Sequence, residues 1–377
     1  MEFRDLKAQY LDNKEAIDTA IQNVLLDGQF IGGEPVRQLE EKLADYIGVR
    51  HCITCANGTD ALQLALMAWG IEEGDAVFVP DFTFFSTAEV VPWVKATPVF
   101  VDVDMDTFNM SADSLEKAIQ KVLKEGKYAP RVVIAVDLFG QPADFLKIKK
   151  ITEKYNLLLL EDGAQGFGGR IGEKKSCSFG DIATTSFFPA KPLGCYGDGG
   201  AVFTDSDEWD DLIRSFKIHG KGSSKYDNVR IGLNSRLDTI QAAILNIKME
   251  RIDEEIAAVN QIARKYTEAL HDYVKCPYVI HNFHSSWAQY TILLENKDQR
   301  EYIRKGLQEC GIPTMIYYAK GLHQQKALSK YSRHDISYSE TENICERCLS
   351  LPMHPYLKDR DVDFVVEKLC SLLRQEI

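Results

Sequence analysis

Apolar residues recur at helical spacing over residues 12–28, where Ile17, Ile21, Val24 and Leu25 form one stripe, and Gly28 stands where such a helix ends. A second stripe, Leu39, Leu43 and Ile47, lies between Pro35 and Gly48, a proline at the start and a glycine at the stop. The pattern then changes to alternation over 51–55, predicting a strand, and returns to helical spacing over 61–69. The runs 76–80, 98–103, 131–136 and 157–160 are short and continuously apolar, which predicts strands buried on both faces. Helix-like stretches at 86–95, 111–125 and 143–155 separate them, so the fold class expected is α/β: three layers around a mostly parallel sheet. From 236 to 273 the apolar spacing is helical with neither Pro nor Gly, predicting one long helix that links two domains. A strand at 288–294, a helix at 299–310, a strand at 314–318 and a helix at 361–373 then make a smaller α+β unit. The expected division is a large domain over 1–245 and a small C-terminal domain over 246–377. Residues 217–227, with Gly220, Gly222 and two serines, read as a flexible loop.

Composition sharpens this. The chain has 377 residues, 45% hydrophobic and 27% charged, enough for an extensive core and a length at which two domains are expected. Its net charge of −12 opposes nucleic-acid binding, which relies on clustered Lys and Arg. No apolar run approaches a membrane span, and residues 1–7 lack the apolar stretch of a signal peptide, so a cytoplasmic location is expected. Nine cysteines are an odd count for a disulfide framework. Cys52/Cys55 and Cys345/Cys348 have the spacing of thiolate zinc ligands. Cys52 and Cys55 lie in an alternating strand, however, and should point to opposite faces, so small buried side chains are the preferred reading and no metal is expected.

Lys191 lies in a loop, 186–200, whose prolines and glycines leave one amine in an apolar, tightly turned setting. Such a lysine can condense with an aldehyde, although lysines in glycine loops are common. Upstream, the run 157–160 ends in Glu161-Asp162, a carboxylate at the C-terminal edge of a strand, where α/β enzymes bind ligands. Lysine and strand-end aspartate together suggest pyridoxal phosphate, which needs one for its aldehyde and the other for its pyridine nitrogen. Asn57-Gly58-Thr59-Asp60 falls between a predicted strand and a predicted helix, where amides and the helix dipole favour a phosphate. The same residues also suit an ordinary helix cap.

In these blocks the chain resembles the pyridoxal phosphate-dependent sugar-nucleotide aminotransferases of the DegT group, which have the aspartate aminotransferase type fold (fold type I). The resemblance runs from Phe3-Arg4-Asp5-Leu6 through Asn57-Gly58-Thr59-Asp60-Ala61-Leu62, Phe82-Thr83-Phe84, Glu161-Asp162-Gly163-Ala164-Gln165 and the Lys191 loop. It continues to Asn234-Ser235-Arg236-Leu237-Asp238, Gln241-Ala242-Ala243 and Leu351-Pro352-Met353-His354-Pro355, nearly the whole chain. The Lys191 loop and the last blocks look most like the branch that aminates UDP-2-acetamido-2-deoxy-3-oxo-glucuronate at C3 for bacterial surface polysaccharide such as lipopolysaccharide O antigen.

The resemblance implies roles. Lys191 holds the cofactor and moves protons, and Asp162 keeps its ring nitrogen protonated. Gln165 lies near the phenolic oxygen and Phe84 stacks on the ring, although Phe84 also reads as a core residue of the 82–85 aromatic cluster. Thr59 and Ser186, with the amides at Gly58 and Thr59, hold the phosphate. Asn234 resembles a residue supplied by the neighbouring subunit, which implies a homodimer with shared active sites. Arg236 suits the carboxylate of a uronate acceptor or of a glutamate donor, or else an interface salt bridge. Tyr317, Tyr318 and His323 fall at expected substrate positions. Tyr317-Tyr318-Ala319 departs from the His-Tyr-Pro-like segment of relatives, which leaves the sugar contacts there open. Phe167 stands where many members have histidine, and His219 and His323 also suit structural roles. Alternative functions are an aminotransferase for another 3-keto or 4-keto sugar nucleotide, or a non-enzymatic regulator or metal-binding protein. A dehydratase of the same family would lack the lysine.

Overall fold

The computed structural model describes residues 1–224, 226–333 and 335–375. Seven strands form the central sheet: β1 (His51–Cys55), β2 (Asp75–Pro80), β3 (Thr97–Val101), β4 (Ala129–Val136), β5 (Leu158–Asp162), β6 (Ile182–Ser186) and β7 (Gly200–Thr204). Their order is β1-β7-β6-β5-β4-β2-β3, and only β7 runs antiparallel to its neighbours. The sheet is therefore mostly parallel, as expected. Strands β6 and β7, which flank the Lys191 loop, had no counterpart in the sequence reading; β6 carries three hydroxyl residues in five, and β7 has only three apolar residues in a row, directly after the glycine-rich loop.

Side chains alternate between two helix layers. Ile53, Val77, Val79, Ile134 and Leu160 pack with Leu62, Leu66, Val90 and Ile213, from helices Gly58–Ala68, Ser86–Trp93 and Asp207–Phe216. On the other face, Cys52, Ala201 and Phe203 meet Leu39, Leu43 and Leu245, while Phe78, Val99, Val133 and Leu159 meet Leu115, Ile119 and Ile148. Cys52 and Cys55 belong to opposite faces, and among the described residues no group of three His, Cys, Asp or Glu could hold a metal ion.

The helix expected over 12–28 is Lys14–Asp27, ended by a left-handed Gly28 as expected, and a separate short helix, Leu6–Asp12, precedes it where Asn13 donates its side chain to the Gln9 carbonyl. Two expectations need correction. The long helix expected over 236–273 is two, Thr239–Met249 and Ile252–Leu270, interrupted at Glu250–Arg251. Each half serves a different core: Ala242 and Leu245 pack on the sheet, whereas Val259, Ile262, Tyr266 and Leu270 turn to the C-terminal core. The first half carries the chain across the expected division at residue 245. Residues 314–318 make only a single bridge, Met315 to Ser350; Pro313 has no amide to donate, and 317–318 turn away.

The C-terminal region pairs β8 (Tyr290–Leu293) with β9 (Cys348–Leu351), antiparallel, over a core shared with helix Asp359–Gln375. Within 217–227, residue 225 lies outside the described residues. Among the described residues no helix is long and apolar enough to cross a membrane.

Candidate active site

Strand direction places the chemistry at one edge of the sheet. Asp162 ends β5 in register with Val136 of β4 and Thr184 of β6, and Ser186 ends β6 opposite Gly200. Asp162 is two residues from Leu160 and so faces the same helix layer, where the Thr87 hydroxyl donates to its Oδ2 at 2.8 Å. The Ala164 amide donates to its Oδ1 at 3.2 Å. Burial raises the Asp162 pKa, while the Thr87 bond and the Lys191 charge oppose the rise.

Helix Gly58–Ala68 starts at the same edge. Asn57 caps it by accepting from the Asp60 amide at 2.8 Å, so both open readings of this segment are compatible: the cap is real, and the first amides remain free. A Cβ on Gly58 would lie 2.8 Å from Ser186 Cβ, so only glycine lets the helix start reach the end of β6. Gly200 is equally constrained, since a Cβ there would lie 2.5 Å from the Asn57 carbonyl. The Thr59 hydroxyl pairs with the Ser86 hydroxyl at 2.7 Å. Amides, hydroxyl side chains and a helix N-terminus thus meet at this edge, an arrangement that suits an anion such as a phosphate.

The Lys191 loop is anchored from three sides. The Arg4 guanidinium donates to the Lys191 carbonyl at 2.7 Å, the Lys248 ammonium to the Gly194 carbonyl at 2.6 Å, and the Tyr196 amide to Gln241 at 2.8 Å. Burial pushes the Lys191 ammonium down to about 8, opposed by the Asp162 carboxylate and assisted by the Arg4 cation. Lys191 therefore stays mostly protonated near pH 7, but its neutral, nucleophilic fraction is far larger than that of an ordinary lysine.

Gln165 accepts from the Phe139 amide at 2.8 Å and donates to the Tyr318 hydroxyl at 3.2 Å. Phe82 is 1% exposed but Phe84 is 53% exposed, so Phe84 is not a core residue; its ring centroid lies 6.4 Å from that of Tyr318, whose ring lies 5.7 Å from that of Tyr317. The structure thus brings Asp162, Gln165, Phe84, Tyr317 and Tyr318 into one cluster beside the phosphate cradle. His323 is held differently. Asp81 takes its Nδ1 at 2.6 Å, Glu342 takes its Nε2 at 3.3 Å, and its ring stacks on Tyr338, which leaves neither ring nitrogen free. Phe167 is buried and stacks on Tyr46. His219 uses its backbone, donating to the Leu233 carbonyl and accepting from Asn228. In the extended segment 234–236 the buried Ser235 accepts from the Ala56 amide, whereas Asn234 and Arg236 are exposed, and Arg236 has no ion-pair partner among the described residues.

Sequence reasoning missed Thr87 and Arg4. The four-residue spacing of Thr83 and Thr87, whose hydroxyls are paired at 3.1 Å, was a signal for the first. Arg4 stood in the matching block Phe3-Arg4-Asp5-Leu6 with no role attached to it.

A mostly parallel α/β sheet whose strand ends carry a buried aspartate and, on an adjoining loop, a lysine with a depressed pKa fits pyridoxal phosphate on a fold type I frame. A family model described as the DegT/DnrJ/EryC1/StrS aminotransferase family matches residues 11–370, and the chain belongs to that family. It is a pyridoxal phosphate-dependent aminotransferase. The chain is 42% identical, over 98% of its length and 100% of the relative's, to a UDP-2-acetamido-2-deoxy-3-oxo-D-glucuronate aminotransferase of Pseudomonas aeruginosa. It is 38% identical, over 95% of its length and 94% of the relative's, to a UDP-N-acetyl-3-dehydro-alpha-D-glucosamine 3-aminotransferase of Acidithiobacillus ferrooxidans. Among solved structures, an aminotransferase of this family from Brucella abortus superposes with a TM-score of 0.96 at 49% identity, covering 98% of this chain and 99% of that one. NtdA of Bacillus subtilis, solved with bound cofactor PMP, has a TM-score of 0.88 at 28% identity, covering 97% of this chain and 82% of that one.

Proposed function

We propose that the enzyme transfers an amino group from glutamate to C3 of UDP-2-acetamido-2-deoxy-3-oxo-glucuronate, in the cytoplasm, as a step towards bacterial surface polysaccharide such as lipopolysaccharide O antigen. The observation that carries the uronate assignment is Arg236, exposed and without an ion-pair partner among the described residues, on a segment that Ser235 anchors to Ala56; with Asn234 it is assigned to the neighbouring subunit's site. A guanidinium so placed suits a carboxylate, bidentately. Similarity to the Pseudomonas aeruginosa relative supports the same acceptor.

When bound, pyridoxal phosphate supplies an electron-accepting ring that stabilises the charge left on a substrate carbon as its proton departs. The phosphate is assigned to the amides of Gly58 and Thr59, the hydroxyls of Thr59 and Ser186, and Asn234 of a second subunit. Asp162 would hold the proton on the ring nitrogen, Gln165 would stand by the phenolic oxygen, and Phe84 would cover one ring face. Lys191 Nζ, freed when the amino donor binds, would take the proton from the donor's α-carbon and deliver it to the cofactor's C4′, the net shift that transamination requires. Tyr317 and Tyr318 line the acceptor side. His323, whose two ring nitrogens face Asp81 and Glu342, is assigned to ordering the Asp81 turn, not to the sugar. A homodimer is supported by exposed apolar residues near Arg236: Phe30 and Ile31, tied to Asp238 and Thr239, and Ile231, 91% exposed.

Steady-state kinetics on paired uronate and neutral 3-oxo sugar nucleotides test this. Wild type should prefer the uronate, and Arg236→Ala should lower its kcat/KM by roughly ten- to a hundred-and-fifty-fold, about 1.5 to 3 kcal/mol, with little change on the neutral sugar. Wild-type preference for the neutral sugar would move the assignment to the activity named for the Acidithiobacillus ferrooxidans relative.

A further inference from the structure

Arg4 lies 187 positions from the lysine whose carbonyl it holds, on the short segment before helix Leu6–Asp12. Guanidinium carries five N–H donors, and this single bond on Nη2 is the only acceptor it meets among the described residues. Among the described residues no carboxylate lies within ion-pair distance of it. Lys191 is itself a cation. The phenol of Tyr317, whose pKa burial raises, is neutral, and His354 is neutral because burial pushes it down to about 4. Asp5, the adjacent carboxylate, caps the helix by accepting from the Ala8 amide at 2.8 Å. Glu255, the carboxylate whose field Arg4 feels most, lies beyond ion-pair distance and accepts from Gln9 at 3.1 Å and Tyr356 at 2.7 Å. A partly buried cation beside a second cation, with its nearest carboxylates engaged elsewhere, leaves donors free for a further anion.

We propose that Arg4 is a carboxylate-binding residue of the active site, holding a substrate carboxylate between its free N–H groups and the Tyr317 side of the cleft. The donor set fits a carboxylate: a planar fork beside an aromatic ring, with one edge already oriented by the Lys191 carbonyl. Two substrates of the proposed reaction carry that group, the amino acid and the uronate, so the assignment rests on the proposed function for its choice of ligands. Arg236 lies on the segment tied to Ala56, whereas Arg4 is tied to Lys191 itself, so two carboxylates can be held separately.

Isothermal titration of the cofactor-loaded enzyme tests the assignment without turnover. The probes are 2-oxoglutarate, a UDP-linked uronic acid and the matching neutral UDP-sugar. Arg4→Met, which keeps the apolar stem, should weaken at least one carboxylate probe by ten- to a hundredfold and leave the neutral sugar within about twofold; Arg4→Lys should recover part of the loss. Loss on 2-oxoglutarate assigns the donor carboxylate, and loss on the UDP-uronate assigns the acceptor. If 2-oxoglutarate binding depends on Arg4 while the wild-type enzyme neither binds nor turns over uronates, the Arg4 site stands and the uronate acceptor falls. If Arg4→Met weakens all three probes equally, or none, Arg4 is only a tether for the Lys191 loop and the assignment is overturned. Arg4→Lys keeps the reading possible if the methionine variant does not fold.

Discussion

Replacing Thr87 with valine removes one hydroxyl and keeps the side-chain shape. In the wild type that hydroxyl donates at 2.8 Å to Asp162 Oδ2, and the site is buried, with Thr87 1% and Asp162 5% exposed. A hydrogen bond to a charged group contributes about 1.5 to 3 kcal/mol, so losing it should lower the efficiency of the amino-donor half-reaction by roughly ten- to a hundred-and-fifty-fold. The direction with pH is also set. The bond favours the ionised carboxylate, so without it the Asp162 pKa, already raised by burial, rises further. Activity needs the ionised form, and the acid limb of the kcat/KM profile should therefore move to higher pH. Single-turnover kinetics with glutamate across a pH series would read both effects. Loss of rate with an unmoved acid limb would mean that Thr87 matters only for packing, and a rate within twofold of wild type would remove it from the site.

Gly58→Ala places a Cβ 2.8 Å from Ser186 Cβ, an overpacking worth about 1 to 3 kcal/mol, and cofactor titration should show correspondingly weaker binding; unchanged affinity would contradict the cradle. Capture of pyridoxal phosphate by cofactor-free enzyme requires neutral Lys191, whose pKa burial depresses to about 8, so the rate should climb as pH rises through about 8 and then level. A stopped-flow profile still climbing towards the ordinary lysine value would refute that depression. By the same linkage, the buried lysine disfavours folding while protonated, and stability from this group should increase as pH rises from about 8 towards the unfolded lysine value. Mixing Lys191→Ala with Arg236→Ala subunits should create sites with both residues intact and regain activity above either alone; a fully active monomer in sedimentation would contradict shared sites.

Much of the architecture was legible because its signals are local. The strands of the parallel sheet are buried on both faces and appear as continuous apolar runs such as 131–136, and Lys191, Asp162 and Gly58 stand at the strand ends and turns where the topology concentrates chemistry. Elements whose reason is tertiary did not show. The break at Glu250–Arg251 involves no Gly or Pro; the helix divides because its halves face different cores. The strands around Lys191 were hidden by a loop rich in glycine and proline. Thr87 acts across 75 positions and Arg4 across 187, distances over which no periodicity carries information. Phe84 was ambiguous within its aromatic cluster until its exposure separated it from Phe82.

The central claim is that Lys191 is the residue that bonds to the cofactor, and borohydride reduction followed by peptide mass spectrometry tests it most directly. Reduction of the loaded enzyme should leave the cofactor mass on the peptide containing Lys191, and addition of glutamate beforehand should abolish the label by releasing the lysine. A label on another lysine, or none in an enzyme that still transaminates, would contradict the account.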